Sequence, residues 1–211
     1  MTEKFNFLEN PLKDSSDVQK TFGDIAKTLF EKYCINCNGT KYYFAEIEFY
    51  YYDKKNIELP ENKNWQGVTY HRKAEAGDCF YHLSGCDVCF CSILDDSGKT
   101  MRKGGGILIR SIVNEKKNEM TVGPLNCVNK MLNSCGKGSV PFLDKINGER
   151  QVDLHETYRY LGADDFKLIG EQKNKDGKLN LAFYDHGIDV HIWNIARPSY
   201  YSSRFKYDSN K

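Results

Sequence analysis

The clearest pattern along the chain is a run of apolar residues at helical spacing. Residues 15–33 place apolar side chains three or four positions apart, at Val18, Phe22, Ile25, Leu29 and Phe30. A serine ahead of the run can cap the first turn, so the pattern predicts an amphipathic helix with its apolar stripe on the core. The segment GPLNCVNKMLN, 123–133, predicts a second helix with a proline in its first turn and Leu125, Val128 and Leu132 on one face.

A second pattern alternates, as an extended chain does. Asn38 and Gly39 form a pair typical of a hairpin turn, and TKYYFAEIEFYYYD follows them. Because side chains alternate between the faces of a strand, one face is expected to carry Tyr43, Ala45, Ile47 and Phe49. The other face is expected to carry Phe44, Glu46, Glu48 and Tyr50.

Further stretches rich in β-branched and aromatic residues predict strands at 78–83, 87–93, 106–113, 179–185, 189–195 and 199–206. Strands that follow each other without intervening helices favour the α+β class. We therefore expect residues 1–211 to form a single domain with a curved, mostly antiparallel β-sheet and peripheral helices. Residues 1–14 are expected to be poorly ordered or loosely docked.

Composition narrows the class of protein without assigning a function. The 211 residues are 40% hydrophobic and 28% charged, with a formal net charge of +1. No stretch approaches the ~18 consecutive apolar residues of a membrane helix, and the polar N terminus lacks the apolar segment of a signal peptide. These features predict a cytoplasmic protein with no membrane partner, and we expect a monomer.

Two charged features of the strands indicate candidate chemistry. Glu46 and Glu48 would stand about 7 Å apart on one strand face beside aromatic side chains. A carboxylate in such surroundings suits a general base acting on a flat, apolar substrate, while two solvated acids are the alternative. Arg110 lies within an apolar strand, where a guanidinium must be paired or solvated, either in a salt bridge or in a site.

The eight cysteines raise the possibility of a metal. CINC at 34–37 and CDVCFC at 86–91 resemble halves of a zinc site, with Cys34, Cys37, Cys86 and Cys89 as ligands. The 48 residues between Cys37 and Cys86 exceed the ~15–20 of the common ribbon pattern. Buried, reduced thiols are therefore the expectation, and a zinc-stabilised interaction protein is the alternative.

Six segments, taken in order, resemble the alkyladenine (3-methyladenine) DNA glycosylase family. They are FAEIEFY at 44–50, TYHRKA at 69–74, GDCFYHLSGCDVCF at 77–90, GGILIRSI at 105–112, GPLNCVNKML at 123–132 and RPSYYSSRF at 197–205. The first resembles the family's strand motif of two acids, and the fourth its apolar strand carrying an arginine. The similarity extends collinearly over about residues 24–205 and implies a glycosylase-like domain.

The resemblance implies a DNA glycosylase that flips an alkylated purine out of double-stranded DNA into an aromatic pocket and hydrolyses its N-glycosidic bond. Glu48 would activate the water, Glu46 would be supporting structure, and Arg110 would help to hold the water. Tyr50 and His71 match pocket residues. The remaining pocket position falls on Tyr81 or His82, and no metal or organic cofactor is implied.

Two alternatives keep the same fold. One is a hydrolase acting on a free nucleoside, which is favoured by Ser84 at the position where the family inserts a bulky side chain into the DNA. The other is a non-catalytic binding module. A DNA-binding face would have to be local at a net charge of +1, and its candidate residues are Lys54, Lys55, Arg72, Lys73, Arg102, Lys103, Arg197 and Arg204.

Overall fold

A computed structural model of the chain describes residues 5–9, 18–53, 74–82, 85–94, 96, 101–160, 167–173, 179–185, 188–190 and 196–202. For 18–19, 51–53, 101–103, 157–160, 196–198 and the strands between 167 and 190, it describes the backbone alone. The helices in these ranges are α1 (Asn6–Glu9), α2 (Val18–Lys32) and α3 (Pro124–Cys135).

Thirteen strands lie in the same ranges. They are β1 (Tyr33–Cys37), β2 (Thr40–Asp53), β3 (Cys79–His82), β4 (Gly85–Cys89), β5 (Ile93–Leu94), β6 (Met101–Asn114), β7 (Glu119–Val122), β8 (Phe142–Lys145), β9 (Leu154–Tyr160), β10 (Lys167–Lys173), β11 (Leu179–Asp185), β12 (Ile188–Val190) and β13 (Ala196–Ser202).

Ten of these strands form one curled antiparallel sheet. Its main order is β3-β4-β6-β2-β1-β8, and β13 pairs with β2 and with β9. The long strands β2 and β6 pair along most of their length, and β13 lies on the edge of β2 opposite β6. A separate three-stranded sheet has the order β10-β11-β12. The predicted α+β class with a curved antiparallel sheet is thus confirmed.

The core lies between one face of the large sheet and the helices. Phe22 of α2 stacks on Phe49 of β2 with ring centroids 4.7 Å apart, and Phe30 lies 6.1 Å from Phe44. Tyr200 of β13 meets Phe49 edge to face at 5.5 Å. Since α2 packs its predicted apolar stripe against the middle of the sheet, it fixes which face of β2 is buried.

The N-terminal segment packs more closely against the core than the loose docking expected from the sequence. Within it, α1 places Leu8 fully inside the core, and the ring of Phe5 lies 5.7 Å from that of Tyr33. The carbonyl of Leu8 also accepts a hydrogen bond from the Cys91 amide at 3.1 Å. Residues 5–9 therefore belong to the packed structure, while residues 1–4 and 10–14 lie outside the described ranges.

The second predicted helix exists, but its buried face was assigned wrongly. Leu125 and Leu132 are 51% and 40% exposed. The buried stripe of α3 consists instead of Val128 and the sulfur-containing residues Cys127, Met131 and Cys135. These residues recur at four-residue spacing, and cysteine and methionine behave here as core hydrophobes.

Strand prediction was right for the long strands and missed several short ones. The stretches 78–83, 87–93, 106–113 and 179–185 correspond to β3, β4 with β5, β6 and β11. The predicted 189–195 and 199–206 overlap β12 and β13, and their remaining residues lie outside the described ranges. Five strands were not predicted, namely β1, β7, β8, β9 and β10. Most of them are short and carry polar or charged residues in the middle of the strand.

Replacing Phe49 by alanine should destabilise the protein strongly. The ring is fully buried and contacts aromatic rings of α2 and β13, so its removal leaves a cavity at the centre of the core. We expect a loss of about 3–5 kcal/mol in the free energy of unfolding, measured by urea denaturation. Phe142→Ala, at a side chain that is 49% exposed, should cost clearly less. Equal losses would contradict this assignment of the core.

Candidate active site

A β-bulge in β2 turns its acidic residues away from the core. In the pairing with β6, Phe44 lies opposite Ile112 and Glu46 lies opposite Ser111, so Ala45 is an extra residue on β2. The bulge reverses the alternation and leaves Phe44 on the core face while Glu46 lies on the other. The prediction that Phe44 shares a face with Glu46 was therefore wrong, because regular alternation does not account for the bulge.

A second irregularity in β6 compensates for the first. Glu46 lies opposite Ser111 and Ile47 opposite Ile109, which makes Arg110 the extra residue on β6. Ile109 is part of the core cluster, whereas Arg110 and Ser111 reach the acidic residues on the opposite face. Bulges are frequent beside active sites because they redirect a side chain without changing the rest of the sheet.

The two irregularities place one guanidinium between two buried carboxylates. Arg110 donates from Nη1 to Oε2 of Glu48 at 2.7 Å, and its Nε lies 3.5 Å from Oε1 of Glu46. The Ser111 hydroxyl donates to the other oxygen of Glu46 at 3.3 Å. Glu46 and Glu48 are only 4% and 3% exposed. We call these four residues the carboxylate cluster.

The start of α3 is fixed to the same point of β6. The amide of Gly123 donates to the Arg110 carbonyl at 2.8 Å, and the Cys127 thiol lies 3.5 Å from that oxygen. Gly123 has a φ of 94°, a conformation that favours glycine, and Pro124 follows it as the first helical residue. The backbone of Arg110 is thereby tied to the helix while its side chain reaches the acids.

Beside the carboxylate cluster lies a second polar group, which we call the Asp87 triad. The Tyr50 hydroxyl donates to Oδ2 of Asp87 at 2.5 Å, and Nε2 of His82 lies 3.1 Å from the same oxygen. Asp87 is 2% exposed. The three residues come from β2, β4 and β3, so the triad joins three strands across the sheet.

Gly106 of β6 makes room for this triad. A Cβ at Gly106 would lie 2.8 Å from the Tyr50 hydroxyl oxygen and 3.2 Å from the Cβ of Asp87. Tyr50 is paired with Gly106 in the sheet, so its ring lies across the glycine with its hydroxyl reaching Asp87 on the far side. This placement makes Tyr50 part of the floor of the site, held flat on the sheet.

Leu108 connects the two polar groups. It is paired with Glu48 on one side and with Asp87 on the other, so all three side chains point to the same face of the sheet. Phe80 is paired with Asp87 in turn and stacks with His82 at a centroid distance of 6.1 Å. The site thus contains both acidic and aromatic groups.

The two candidates for the remaining pocket position lie on opposite faces of β3. His82 belongs to the Asp87 triad, whereas Tyr81 faces the core and donates to the Pro141 carbonyl at 3.1 Å. Of the other residues predicted for the site, Glu48, Arg110 and Tyr50 lie together on the face of His82. His71 lies outside the described residues.

Sequence reasoning missed Asp87 and Ser111. Asp87 lies in an apolar run, GCDVCF. A charge within a buried strand needs partners, so Asp87 could have been singled out from the sequence on the same ground as Arg110. The role of Ser111 had no comparable signal. Its contact with Glu46 depends on the bulge at Arg110, which is not visible in the sequence.

The structure does not assemble the zinc site considered from the sequence. Cys34 and Cys37 are three residues apart in β1, and Cys86 and Cys89 are three apart in β4, so each pair points to opposite faces. Burial raises the pKa of Cys34 to about 11, and it also raises the pKa of Cys37 and of Cys89. Across the described ranges, no group of three or more His, Cys, Asp or Glu residues is placed to hold a metal ion.

None of the helices described here has the length and apolar character to cross a membrane.

Comparisons with known proteins find a distant relative. No protein-family model and no solved structure matches the chain. The chain is similar to an uncharacterized protein of Acanthamoeba polyphaga mimivirus, with 29% identity over 155 residues that make up 68% of this chain and 70% of the viral protein. The resemblance to alkyladenine DNA glycosylases therefore stays a prediction.

Replacing Arg110 by methionine should destabilise the fold because two buried carboxylates lose their counter-ion. We expect a loss of about 3–5 kcal/mol in the free energy of unfolding. Adding Glu48→Gln to this variant should recover part of the loss by removing one unpaired charge. Lys20→Met, at an exposed ion pair with Asp24, should cost less than about 1 kcal/mol. If the free-energy changes of Arg110→Met and Glu48→Gln simply added up in the double variant, the two side chains would not be energetically coupled, and this prediction would be wrong.

The buried thiols should resist modification in the folded protein. Burial raises the pKa of Cys127 to about 12 and that of Cys34 to about 11, so at pH 8 only about one Cys34 thiol in a thousand is ionised. With an aromatic disulfide reagent, peptide mass spectrometry should find these two thiols unlabelled until denaturant is added. The half-buried Cys91 should be labelled earlier. Labelling of Cys34 ahead of Cys91 in the folded protein would refute this order.

Proposed function

We propose that this protein hydrolyses the N-glycosidic bond of an alkylated purine in double-stranded DNA, with Glu48 as the base that activates water. One observation carries the proposal, the buried contact of Glu48 with Arg110 at 2.7 Å. The two residues are 62 positions apart in the chain. They are also the two to which the family resemblance assigns the handling of water.

The proposed reaction needs few groups. Glu48 takes a proton from water, the water oxygen bonds to the sugar carbon C1′, and the C1′–N bond breaks with its electron pair moving to the base. A purine nucleotide alkylated at N3 or N7 carries a positive charge on its base, which leaves as a neutral molecule. Arg110 orients the carboxylate of Glu48, and Ser111 fixes Glu46 at the far side of the guanidinium.

The charge of the site supports a cationic, electron-poor base. Among the described residues on this face, Glu46, Glu48 and Asp87 are three buried carboxylates, whereas Arg110 is the one guanidinium and contacts Glu46 and Glu48. Such a site has a negative excess, which attracts a positively charged ring. The exposed ring of Phe80 adds an aromatic surface on which an electron-poor heterocycle can stack.

The DNA partner rests on the family resemblance. All eight basic side chains proposed for a DNA-binding face lie outside the side chains that the structure describes. The acidic site itself repels phosphate, so contacts to a DNA backbone would have to come from other parts of the chain. Release of bases from DNA is therefore the direct test.

A non-catalytic binding module is the second candidate, and one observation favours it. Glu48 is only 3% exposed, as expected for a carboxylate that serves structure rather than water activation. Such a module would bind a cationic heterocycle in the same site without breaking a bond. A nucleoside-level hydrolase differs from both, because it would cleave without a duplex.

The proposal predicts that the protein releases alkylated bases from methylated duplex DNA and that Glu48→Gln abolishes this release. Loss of the general base should lower the single-turnover rate by about 10²- to 10⁴-fold. Release is measured by chromatography of the freed bases, with and without a chelator. Glu119→Gln, at a carboxylate that is 42% exposed, serves as the matched control and should keep full activity.

Each other outcome has a defined meaning. Release that survives in Glu48→Gln would reject Glu48 as the base. Release from methylated nucleosides but not from duplex DNA would replace the DNA substrate by a nucleoside. Binding of a methylated purine without release of any base would favour the binding module.

A further inference from the structure

We propose that Tyr201 and His155 form a second aromatic subsite, which stacks the base next to the reacting one in an unpaired DNA strand. We call this pair the Tyr201 subsite. The inference rests on the proposed function and deepens it, because it names the form of the substrate. Glu48 acts on the alkylated purine, and the Tyr201 subsite holds the neighbouring base of the same strand.

The strand register places both rings of the subsite on the face of the carboxylate cluster. Tyr201 of β13 is paired with Glu46 of β2 and, on its other side, with His155 of β9. Residues directly opposite each other in a sheet point to the same face. Tyr200 precedes Tyr201 in β13 and belongs to the core cluster, as the alternation of a strand requires. Tyr201 therefore lies one strand spacing from Glu46, about 5 Å, and His155 lies two.

The two rings stack on each other and remain accessible. Their centroids are 5.3 Å apart and their planes differ by 24°. Nε2 of His155 also lies 3.3 Å from Oδ2 of Asp153, a contact that orients the imidazole. The His155 side chain is 45% exposed and Tyr201 is partly exposed, whereas Glu46 beside them is buried. The face thus opens from buried carboxylates to an accessible aromatic surface.

Tyr201 is fixed in a different way from the other tyrosines of the sheet. The hydroxyls of Tyr50, Tyr81 and Tyr200 are hydrogen-bonded to Asp87, to a backbone carbonyl and to a glutamate of β9. These bonds anchor the three rings within the protein. Tyr201 is held by its ring stack with His155, so the pair presents a flat surface of two rings.

A second aromatic pair lies on the far side of the carboxylate cluster. Phe80 and His82 of β3 stack with centroids 6.1 Å apart, and Phe80 is 41% exposed. Because β4, β6 and β2 lie between β3 and β13, the two pairs are four strand spacings apart, about 19 Å along the sheet. One base is too small to contact both pairs. Two accessible aromatic pairs around one acidic centre fit a ligand with more than one flat ring, as a nucleic-acid strand has.

Stacking on the Tyr201 subsite requires an unpaired base. In a duplex each base stacks within the helix, so its flat face is not available to a protein ring. Aromatic platforms hold single strands in many proteins, because every base has a face on which a ring can stack. A single strand also brings one phosphate backbone to the acidic site, whereas a duplex brings two.

The test measures the binding of labelled single-stranded oligonucleotides by fluorescence anisotropy. The central base is 7-methylguanine, and a 2′-fluorine on its sugar keeps the base attached by disfavouring positive charge at C1′. The base on each side of it is removed in turn, which leaves an abasic sugar. For the wild type, one of the two removals should weaken binding by about 5- to 100-fold, the usual loss when a base loses its aromatic platform.

Variants connect this loss to the Tyr201 subsite. Tyr201→Leu should weaken binding of the intact strand to the same extent and make binding insensitive to removal of that neighbouring base. Tyr201→Phe keeps the ring and should bind as the wild type does, which separates stacking from a hydrogen bond of the hydroxyl. Phe142→Leu removes an exposed ring from β8 and should leave binding unchanged.

Dependence on the neighbouring base is a readout that a purely structural role of Tyr201 would not change. A cross-strand aromatic pair also stabilises a sheet, so thermal unfolding checks that each variant is folded. His155→Leu, at the more exposed ring, replaces Tyr201→Leu if that variant does not fold. Removal of the neighbouring base is tested on the wild type and needs no variant.

The failure of this inference is distinguishable from failure of the proposed function, because release of alkylated bases is measured in parallel. Equal binding with and without the neighbouring bases, or equal binding by Tyr201→Leu and the wild type, would overturn the subsite. If bases are still released from DNA in that case, the glycosylase proposal stands without it. If no base is released but binding depends on Tyr201 and on the neighbouring base, the subsite is supported and the glycosylase is rejected. If the protein neither binds the strand nor releases a base, both are wrong.

Discussion

The ion cluster of Arg110 with Glu46 and Glu48 is the constraint on which the rest of the site depends. Burying two carboxylates costs several kcal/mol each unless a cation lies within contact distance. The guanidinium meets this demand at 2.7 Å for Glu48 and at 3.5 Å for Glu46. In other proteins, replacing buried ion pairs or triads by hydrophobic residues of similar volume is often neutral or stabilising. The cluster is therefore better explained by a requirement for charge at this position than by a requirement for stability.

The core residues and the carboxylate cluster require opposite faces of the same strands, and the two bulges make both placements possible. Phe44 must remain against Phe30, so a regular strand would carry Glu46 into the core beside it. An extra residue at Ala45 prevents this, and the extra residue at Arg110 restores the register on β6. Each irregularity alone would shift the remaining pairs of β2 and β6 by one residue. Together they confine the disturbance to the point where the charges meet, and the start of α3 is tied to it through Gly123.

The contrast between the regular parts of these strands and their two bulges explains what could be predicted from the sequence. The α2 helix, the long strands and the α+β class follow from periodicity, because α2 and most of β2 obey a single period. The faces around Phe44 could not be predicted, since a bulge depends on the partner strand as much as on its own residues. The stripe of α3 was misplaced because leucines were taken as its core residues, whereas Cys127 and Met131 are buried. Asp87 carried the same signal as Arg110, an ionisable residue in an apolar strand.

The two polar groups on this face divide the tasks that N-glycosidic cleavage poses. Within the proposed function, negative charge at Glu48 favours both a water made nucleophilic and a base that is already cationic. The Asp87 triad differs, because its contacts hold the rings of Tyr50 and His82 in place across three strands. Leu108 lies between the two groups, so their backbones are two strand spacings apart. Within the proposed function, the carboxylate cluster would activate the water, and the Asp87 triad would hold Tyr50 as a wall of the pocket.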